Sequence, residues 1–273
     1  MRSRAAKALA VRQVSQLSTG RRTPGVDGRV ALSTKERMDL CRKLHQKWTG
    51  WQHHPLRRVN IPKPNGKTRG LGIPTIADRA WQCLLKFAAE PAYEATAGTR
   101  SYGFRPGLSA HDAQRLIYNN LSSNKNGKDK IILETDISKC FDKIDHKVMM
   151  KGVILPKEAE RGLKRAIKAG VKGEYPSSTG DTPQGGVISP LLANIALDGF
   201  ENLGENQWKG NRRDGILIRG IRYTDDAIFI CKPGADIQKL RRDIDEWLAL
   251  RGLQINEAKT KVSRAMEGFD FLG

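Results

Sequence analysis

The chain has 273 residues, 38% hydrophobic and 28% charged, and 48 Lys+Arg against 29 Asp+Glu give it a formal net charge of +19. That length allows a sizeable core in one large domain or two subdomains, and the positive excess points to a polyanionic partner. No apolar run approaches bilayer length and no signal-peptide core opens the chain, while four scattered cysteines without a CxxC pair argue against structural zinc or a disulfide scaffold and leave a reducing cytoplasm as the default.

The charge is uneven. Residues 1–70 carry 17 Lys/Arg against three acids (Asp27, Glu36, Asp39), a net of +14, whereas residues 71–273 carry 31 against 26. The N-terminal quarter, with Arg2, Arg4, Lys7, Arg12, Arg21 and Arg22, therefore reads as a nucleic-acid grip. An anionic membrane surface is the weaker alternative, since no lipidation signal accompanies it.

In chain order, residues 3–18 read as a basic amphipathic helix with Ala5, Leu9, Val14 and Leu17 on one side. "GRRTPGVDG" is a turn-rich break. Ser33 and Glu36 have capping-box spacing and open a helix to about Trp48. Residues 56–73 form a hairpin around an Asn-Gly turn. Residues 77–94 are a core helix, and a further helix starts at Ser109. "KIILETDI" is a buried strand followed by a helix through "HKVMM", and another helix follows Pro156. "GDTPQGGVISPLLANIALDGFENL" is a glycine-rich loop leading into a long helix. "GILIRGIRY" and "AIFICK" are strands of a second hairpin. A helix over 235–250 and short strands at "LQIN" and "FDFLG" finish an α+β chain.

The second hairpin poses the chemical question. Asp225 and Asp226 sit side by side between apolar strands, where unpaired carboxylates are costly. An isolated acidic doublet is more often a solvated turn. Asp136, ending the strand "KIILETD", supplies a third acid. Three carboxylates from two strands make an oxygen-rich site for a hard divalent cation such as magnesium. Two ions roughly 4 Å apart are the usual device for in-line nucleotidyl transfer.

Eight blocks carry a resemblance over nearly the whole chain, in the family's order: "RTPGVDG", "IPKPNGKTRGLGIP", "SYGFRPGLSAHDA", "TDISKCFDKIDH", "TPQGGVISPLLANI", "RYTDDAIFI", "GLQINEAKTKV" and "GFDFLG". The chain resembles the group II intron-encoded reverse transcriptases, particularly the chloroplast-like type of cyanobacteria. The resemblance implies a right-hand polymerase whose palm is an antiparallel sheet backed by helices. Residues 1–130 would be mainly fingers, with a basic extension over about 1–50 and the hairpin at 56–73. Residues 131–273 would be mainly palm, including a fingers/palm segment over about 155–195, with the thumb absent.

It also implies roles. Asp136, Asp225 and Asp226, with the backbone carbonyl of Ile137, would bind two Mg2+ ions. Phe141 would clash with a ribose 2′-OH and select dNTPs, although its spacing suits a core residue equally. Lys63 and Arg69 would grip the triphosphate, their alternative being ordinary hairpin charges. Gln184, Gly185 and Gly186 would pack on nucleotide and template, or be a helix-entry turn. Lys259 would assist pyrophosphate departure as a general acid, or be a solvated lysine. Tyr223, Arg105 and Asn194 would lie near primer and nucleotide; Asp142, Asp145 and His146 read as structural polar groups.

The implied partners are group II intron RNA, an RNA template with a DNA primer, dNTPs and, in a full-length protein, target DNA, in a cytoplasmic, nucleoid- or ribonucleoprotein-associated setting in a bacterium. An RNA-binding maturase that aids splicing, with polymerisation weak or absent, is the alternative. Two departures stand out: Thr224 replaces the family's usual alanine, and the chain stops at Gly273, where the family continues into a thumb.

Overall fold

A computed structural model describes residues 1–62, 66, 68–122, 126–170, 185–207 and 216–272. The chain divides into two compact units that weave along the sequence. Unit 1 is Met1–Ala95, Phe141–His146 and Met150–Leu192; unit 2 is Thr96–Cys140, Lys147–Met149 and Ala193–Gly273.

Unit 1 is mostly helical. Helix α1 (Arg4–Arg12) runs into a π-helical turn over Gln13–Leu17. Its buried stripe is Lys7, Ala10, Val11 and Val14, while Leu9 and Leu17 are exposed. The amphipathic helix is present, but its inward face is rotated from the one read through Ala5, Leu9 and Leu17. Helix α2 (Thr34–Lys47) opens with the expected Ser33–Glu36 capping box. Strands β1 (Arg57–Pro62) and β2 (Thr68–Ile73) pair antiparallel, as expected of the first hairpin's strands, while Asn65 of the expected Asn-Gly turn lies outside the described residues.

Helix α3 (Ile76–Glu94) is the spine of this unit, with Trp81, Leu84 and Leu85 buried. The Trp81 indole donates to the carbonyl of Trp48 at 2.8 Å. Buried Asp78 accepts from the Trp51 indole at 2.8 Å and from the Thr75 hydroxyl at 2.7 Å. Arg79 donates to the carbonyls of Gly20 and Thr23, tying the turn-rich segment to α3. Helix α7, Lys157–Ile167, lies in the same unit, after two short helices, α5 (Cys140–Lys143) and α6 (His146–Lys151).

Unit 2 is built on a four-stranded antiparallel sheet. Its strands are β3 (Ile131–Asp136), β4 (Ile218–Tyr223), β5 (Asp226–Cys231) and β6 (Lys261–Arg264), in the order β4-β5-β3-β6. Alternation along the strands sends Ile132, Ile221, Ile228 and Ile230 to one face, where they meet Ala113 and Ile117 of α4 (Ala110–Leu121). On the other face Phe229 meets Phe200 edge-on at 5.6 Å, and Phe200 in turn meets Trp247 of α9 (Ile237–Ala249) at 5.3 Å.

Three readings near the C-terminal half need correction. The long helix after the glycine-rich loop is short: α8 covers Ser189–Ala196 and gives way to a 3-10 turn at Phe200–Asn202, entered through left-handed Gly199. "LQIN" is not a strand; an isolated bridge of Ile255 to Ile137, with hydrogen bonds from Ser138 N–H to the Gln254 carbonyl and from Asn256 N–H to the Asp136 carbonyl, runs it past the end of β3, and a turn over Asn256–Thr260 breaks the ladder before β6. In "FDFLG", residues 269–272 are also not a strand, and Gly273 lies outside the described residues. Phe269 and Phe271 instead pack by their rings against the sheet's isoleucine cluster.

Candidate active site

In unit 2 the register brings the acids together. Asp136, last in β3, stands opposite Asp226, first in β5, and Asp226 stands opposite Tyr223 across the hairpin. Only Thr224 and Asp225 lie between the two strands. Thr224 has φ +60 and Asp225 is not left-handed, the pattern of a type II′ turn, whose first central position normally takes glycine. A β-branched residue held there costs on the order of 1–3 kcal/mol and persists only because its surroundings fix it.

The surroundings do so from several sides. The Ile137 N–H donates to the Asp225 carbonyl at 3.3 Å, and the Asn256 N–H donates to the Asp136 carbonyl at 2.7 Å. The loop "SYGF" closes over the hairpin: Ser101 bridges Arg222, and the Tyr102 N–H donates to the Arg222 carbonyl at 2.9 Å. Gly103 comes so close that a Cβ there would lie 2.2 Å from Thr224 Oγ1 and 2.7 Å from its backbone nitrogen. Only glycine allows that approach.

The electrostatics follow from this crowding. Burial, then the neighbouring Asp225 and Asp136, push the Asp226 carboxyl up to about 6, with Lys259 acting the other way. Lys259 Nζ donates to Asp136 Oδ2, and that hydrogen bond holds the ammonium above its ordinary range. The turn over Asn256–Thr260 presents this lysine to the acids. Carboxylates and a main-chain carbonyl suit a hard divalent cation, and the repulsion felt by Asp226 is what such an ion relieves. Among the described residues, no three acidic, histidine or cysteine side chains stand close enough to ring an ion as they are placed, and Asp136 is occupied by Lys259. The donor set therefore fits a cation, once Lys259 yields its place on Asp136.

The remaining expected residues distribute as follows. Tyr223 is half-buried against the isoleucine cluster. Arg105 donates to the carbonyls of Gly98 and Ser101, and Asn194, 1% exposed, donates to the Gly103 carbonyl at 2.7 Å and accepts from Arg222 at 3.1 Å. Both thus brace the loop and hairpin. In unit 1, Gly185 has φ +122 and approaches the β2 backbone, where an added Cβ would lie 2.5 Å from the Gly72 carbonyl oxygen. Phe141 is buried at 9% exposure in α5, and the backbone of Arg69 lies in β2. Lys63 and Gln184 fall outside the described residues.

Of the N-terminal cations, Arg2, Arg4, Arg12 and Arg22 are exposed and Arg21 half-buried. Lys7 corrects the sequence reading. It lies on the buried stripe of α1, donating to the Arg2 carbonyl at 3.1 Å and to His45 Nδ1 at 3.2 Å, and burial then Arg4 lower its pKa. Thiol chemistry has no footing near neutral pH at the innermost cysteines, since burial pushes Cys83 up to about 11 and Cys231 to about 12.

Residues 61–273 match the family described as reverse transcriptase (RNA-dependent DNA polymerase), and residues 1–44 match the N-terminal domain of reverse transcriptase. The chain belongs to the reverse transcriptase family. Maturase-like protein 1 of Euglena gracilis is 31% identical over 99% of this chain and 56% of its own length. Protein YkfC of Escherichia coli is 34% identical over 96% and 77%. The group II intron-encoded protein LtrA of Lactococcus lactis is 39% identical over 52% of this chain and 24% of its own. The reverse transcriptase thus spans about half the length of the first of these relatives. Apo telomerase from Candida tropicalis, at 13% identity and TM-score 0.59 over 82% of this chain and 46% of its own, shares the fold.

Beyond the aspartates, sequence reading of this reverse transcriptase missed the buried pair Arg222–Glu201, with Arg222 Nε 3.0 Å from Glu201 Oε2 and both side chains at 0% exposure. The available signal was an arginine inside the apolar run "GILIRGIRY", on the strand face opposite Tyr223. Its partner, 21 residues away, has no sequence mark.

Proposed function

We propose that this chain is the polymerase portion of a group II intron-encoded reverse transcriptase, adding deoxynucleotides to a primer 3′-hydroxyl on an intron RNA template. The observation that carries the reading is the meeting of Asp136, Asp225 and Asp226 at one sheet end, with Asp226 pushed to about 6 by its neighbours and burial. Asp136, Asp225, Asp226 and the Ile137 carbonyl would hold two Mg2+ ions. Bound there, such ions supply Lewis acidity at the attacking hydroxyl and the leaving phosphate.

The chain's own groups account for the rest. Lys259, raised above its ordinary range, is protonated at neutral pH and poised to give a proton to departing pyrophosphate. Lys63 and Arg69 neutralise the triphosphate, with arginine offering a bidentate fork. The Gly185 backbone bears on the incoming nucleotide, and Phe141 closes the space that a ribose 2′-hydroxyl needs. Arg2, Arg4, Arg12, Arg21 and Arg22 hold RNA phosphates.

The test compares primer extension on an RNA template with dNTPs and with rNTPs, for wild type and Phe141→Ala. Wild type extends with dNTPs only, and Phe141→Ala admits rNTPs at least tenfold better. Equal use of both nucleotide types by wild type would sink the reading.

A maturase role has its own support in the exposed N-terminal arginines and in the name of the Euglena relative. Splicing stimulation that survives Asp225→Asn is its mark.

A further inference from the structure

Behind the aspartate hairpin, on the sheet face away from Asp136 and Asp226, lies a charged network buried throughout. Arg222 is 0% exposed. Its Nε donates to Glu201 Oε2 at 3.0 Å, and its Nη1 donates both to Asn194 Oδ1 and to the carbonyl oxygen of Thr224, each at 3.1 Å. The last of these bonds reaches the strained residue of the catalytic turn.

A buried ion pair is a poor device for stability alone, because desolvation offsets much of its attraction and apolar side chains of similar volume serve as well. This pair is also imperfectly satisfied: among the described residues, buried Arg222 Nη2 and Glu201 Oε1 find no hydrogen-bond partner. What apolar residues could not supply is a rigid donor aimed at one carbonyl. Thr224 has φ +60 and, among the described residues, its buried hydroxyl Oγ1 finds no partner, so the hydroxyl does not fix the turn. Arg222 reaches the turn through the Thr224 carbonyl, and a planar guanidinium clamped on two other sides is suited to hold it.

We propose that Arg222 is a positioning residue for the aspartate hairpin: held by Glu201 and Asn194, its guanidinium fixes the Thr224 carbonyl and thereby the direction in which Asp225 and Asp226 leave the turn. The inference rests on the polymerase reading for what the carboxylates do, but not for how they are aimed.

The test uses the full chain with two variants. Arg222→Lys keeps the charge opposite Glu201 and loses the fork. The double variant Arg222→Met with Glu201→Leu removes both charges together, so that neither is left buried alone. Melting temperature establishes folding, calorimetric titration with Mn2+ reports the carboxylate site directly, and primer extension over a Mg2+ range gives kcat and the ion requirement.

Both variants are expected to fold, to bind Mn2+ at least fivefold more weakly, and to lose about tenfold in kcat with the KM for dNTP little changed. A merely structural network would leave Mn2+ affinity and kcat per folded molecule at the wild-type level in the double variant, and that result overturns the proposal. So does failure of both variants to fold, which would make the network a requirement of the fold itself. If wild type itself fails to extend primers, the polymerase reading falls, while the Mn2+ titrations still decide the positioning role.

Discussion

Lys259 rests its ammonium on the carboxylate of Asp136, the one acid of the three that comes from β3. The contact joins a turn after α9 to the end of a central strand 123 residues earlier in the chain. It places a cation where the site's negative charge is densest, and it sets a contest between that ammonium and any metal ion for Asp136.

The contest has a kinetic consequence. Lys259→Met is expected to lower kcat about 100-fold, in the range general-acid catalysis supplies, with a smaller change in the KM for dNTP. It also removes the competitor on Asp136, so half-saturation with Mg2+ shifts to lower concentration. Steady-state primer extension over a Mg2+ series checks both.

Asp226 gives a stability prediction whose sign is unusual for an aspartate. Its folded pKa, about 6, lies above the ordinary 3.8, so between those values the folded chain binds more protons than the unfolded one. Its contribution therefore weakens as pH rises through that window. With chelator present, Asp226→Asn should stabilise the fold by about 1–2 kcal/mol near neutral pH, after discounting for its partial exposure, and the gain should vanish by about pH 4. Thermal melts across pH measure it.

Gly103→Ala tests the close approach of the loop to the hairpin. The added methyl would meet Thr224 Oγ1 at 2.2 Å and two backbone atoms of the turn at 2.7 and 3.1 Å. Overpacking of that kind costs about 1–3 kcal/mol. Because the displaced atoms belong to the turn before Asp225, activity per folded molecule should fall as well, read by melting temperature and extension rate together.

The N-terminal cations separate by burial. Arg12→Glu and Arg22→Glu should each weaken RNA binding and lower the salt slope by about 1 or more, since both side chains face solvent. Lys7→Met should leave the slope unchanged, its ammonium being spent on His45 and the Arg2 carbonyl. Binding titrations at several salt concentrations distinguish the two classes.

These predictions mark where the sequence was legible. The apolar runs of "KIILETDI" and "AIFICK", with a two-residue interval at Thr224-Asp225, were enough to expect the acids at a sheet edge, because a short turn between buried strands places its residues there and Asp136 ends another such strand. The capping box at Ser33 marked its helix for a similarly local reason. The inward face of the first helix was only partly legible: Val14 is buried as expected, but Ala5, Leu9 and Leu17 are exposed, because the face is set by which residues its neighbours approach. β6 was missed since Lys261, Val262 and Arg264 are exposed on an edge strand and carry no burial pattern. The Arg222–Glu201 pair is a tertiary fact, set by a strand and a 3-10 turn that meet only after folding.

The proposed polymerase centre stands or falls on the three carboxylates. Its most direct test is single-turnover primer extension on an RNA template with dNTPs and Mg2+, comparing wild type with Asp225→Asn with protein in excess over primer. Wild type is expected to incorporate dNTPs and the variant to lose at least about 1,000-fold, its melting temperature staying at or above the wild-type value. Equal extension by both proteins would contradict it.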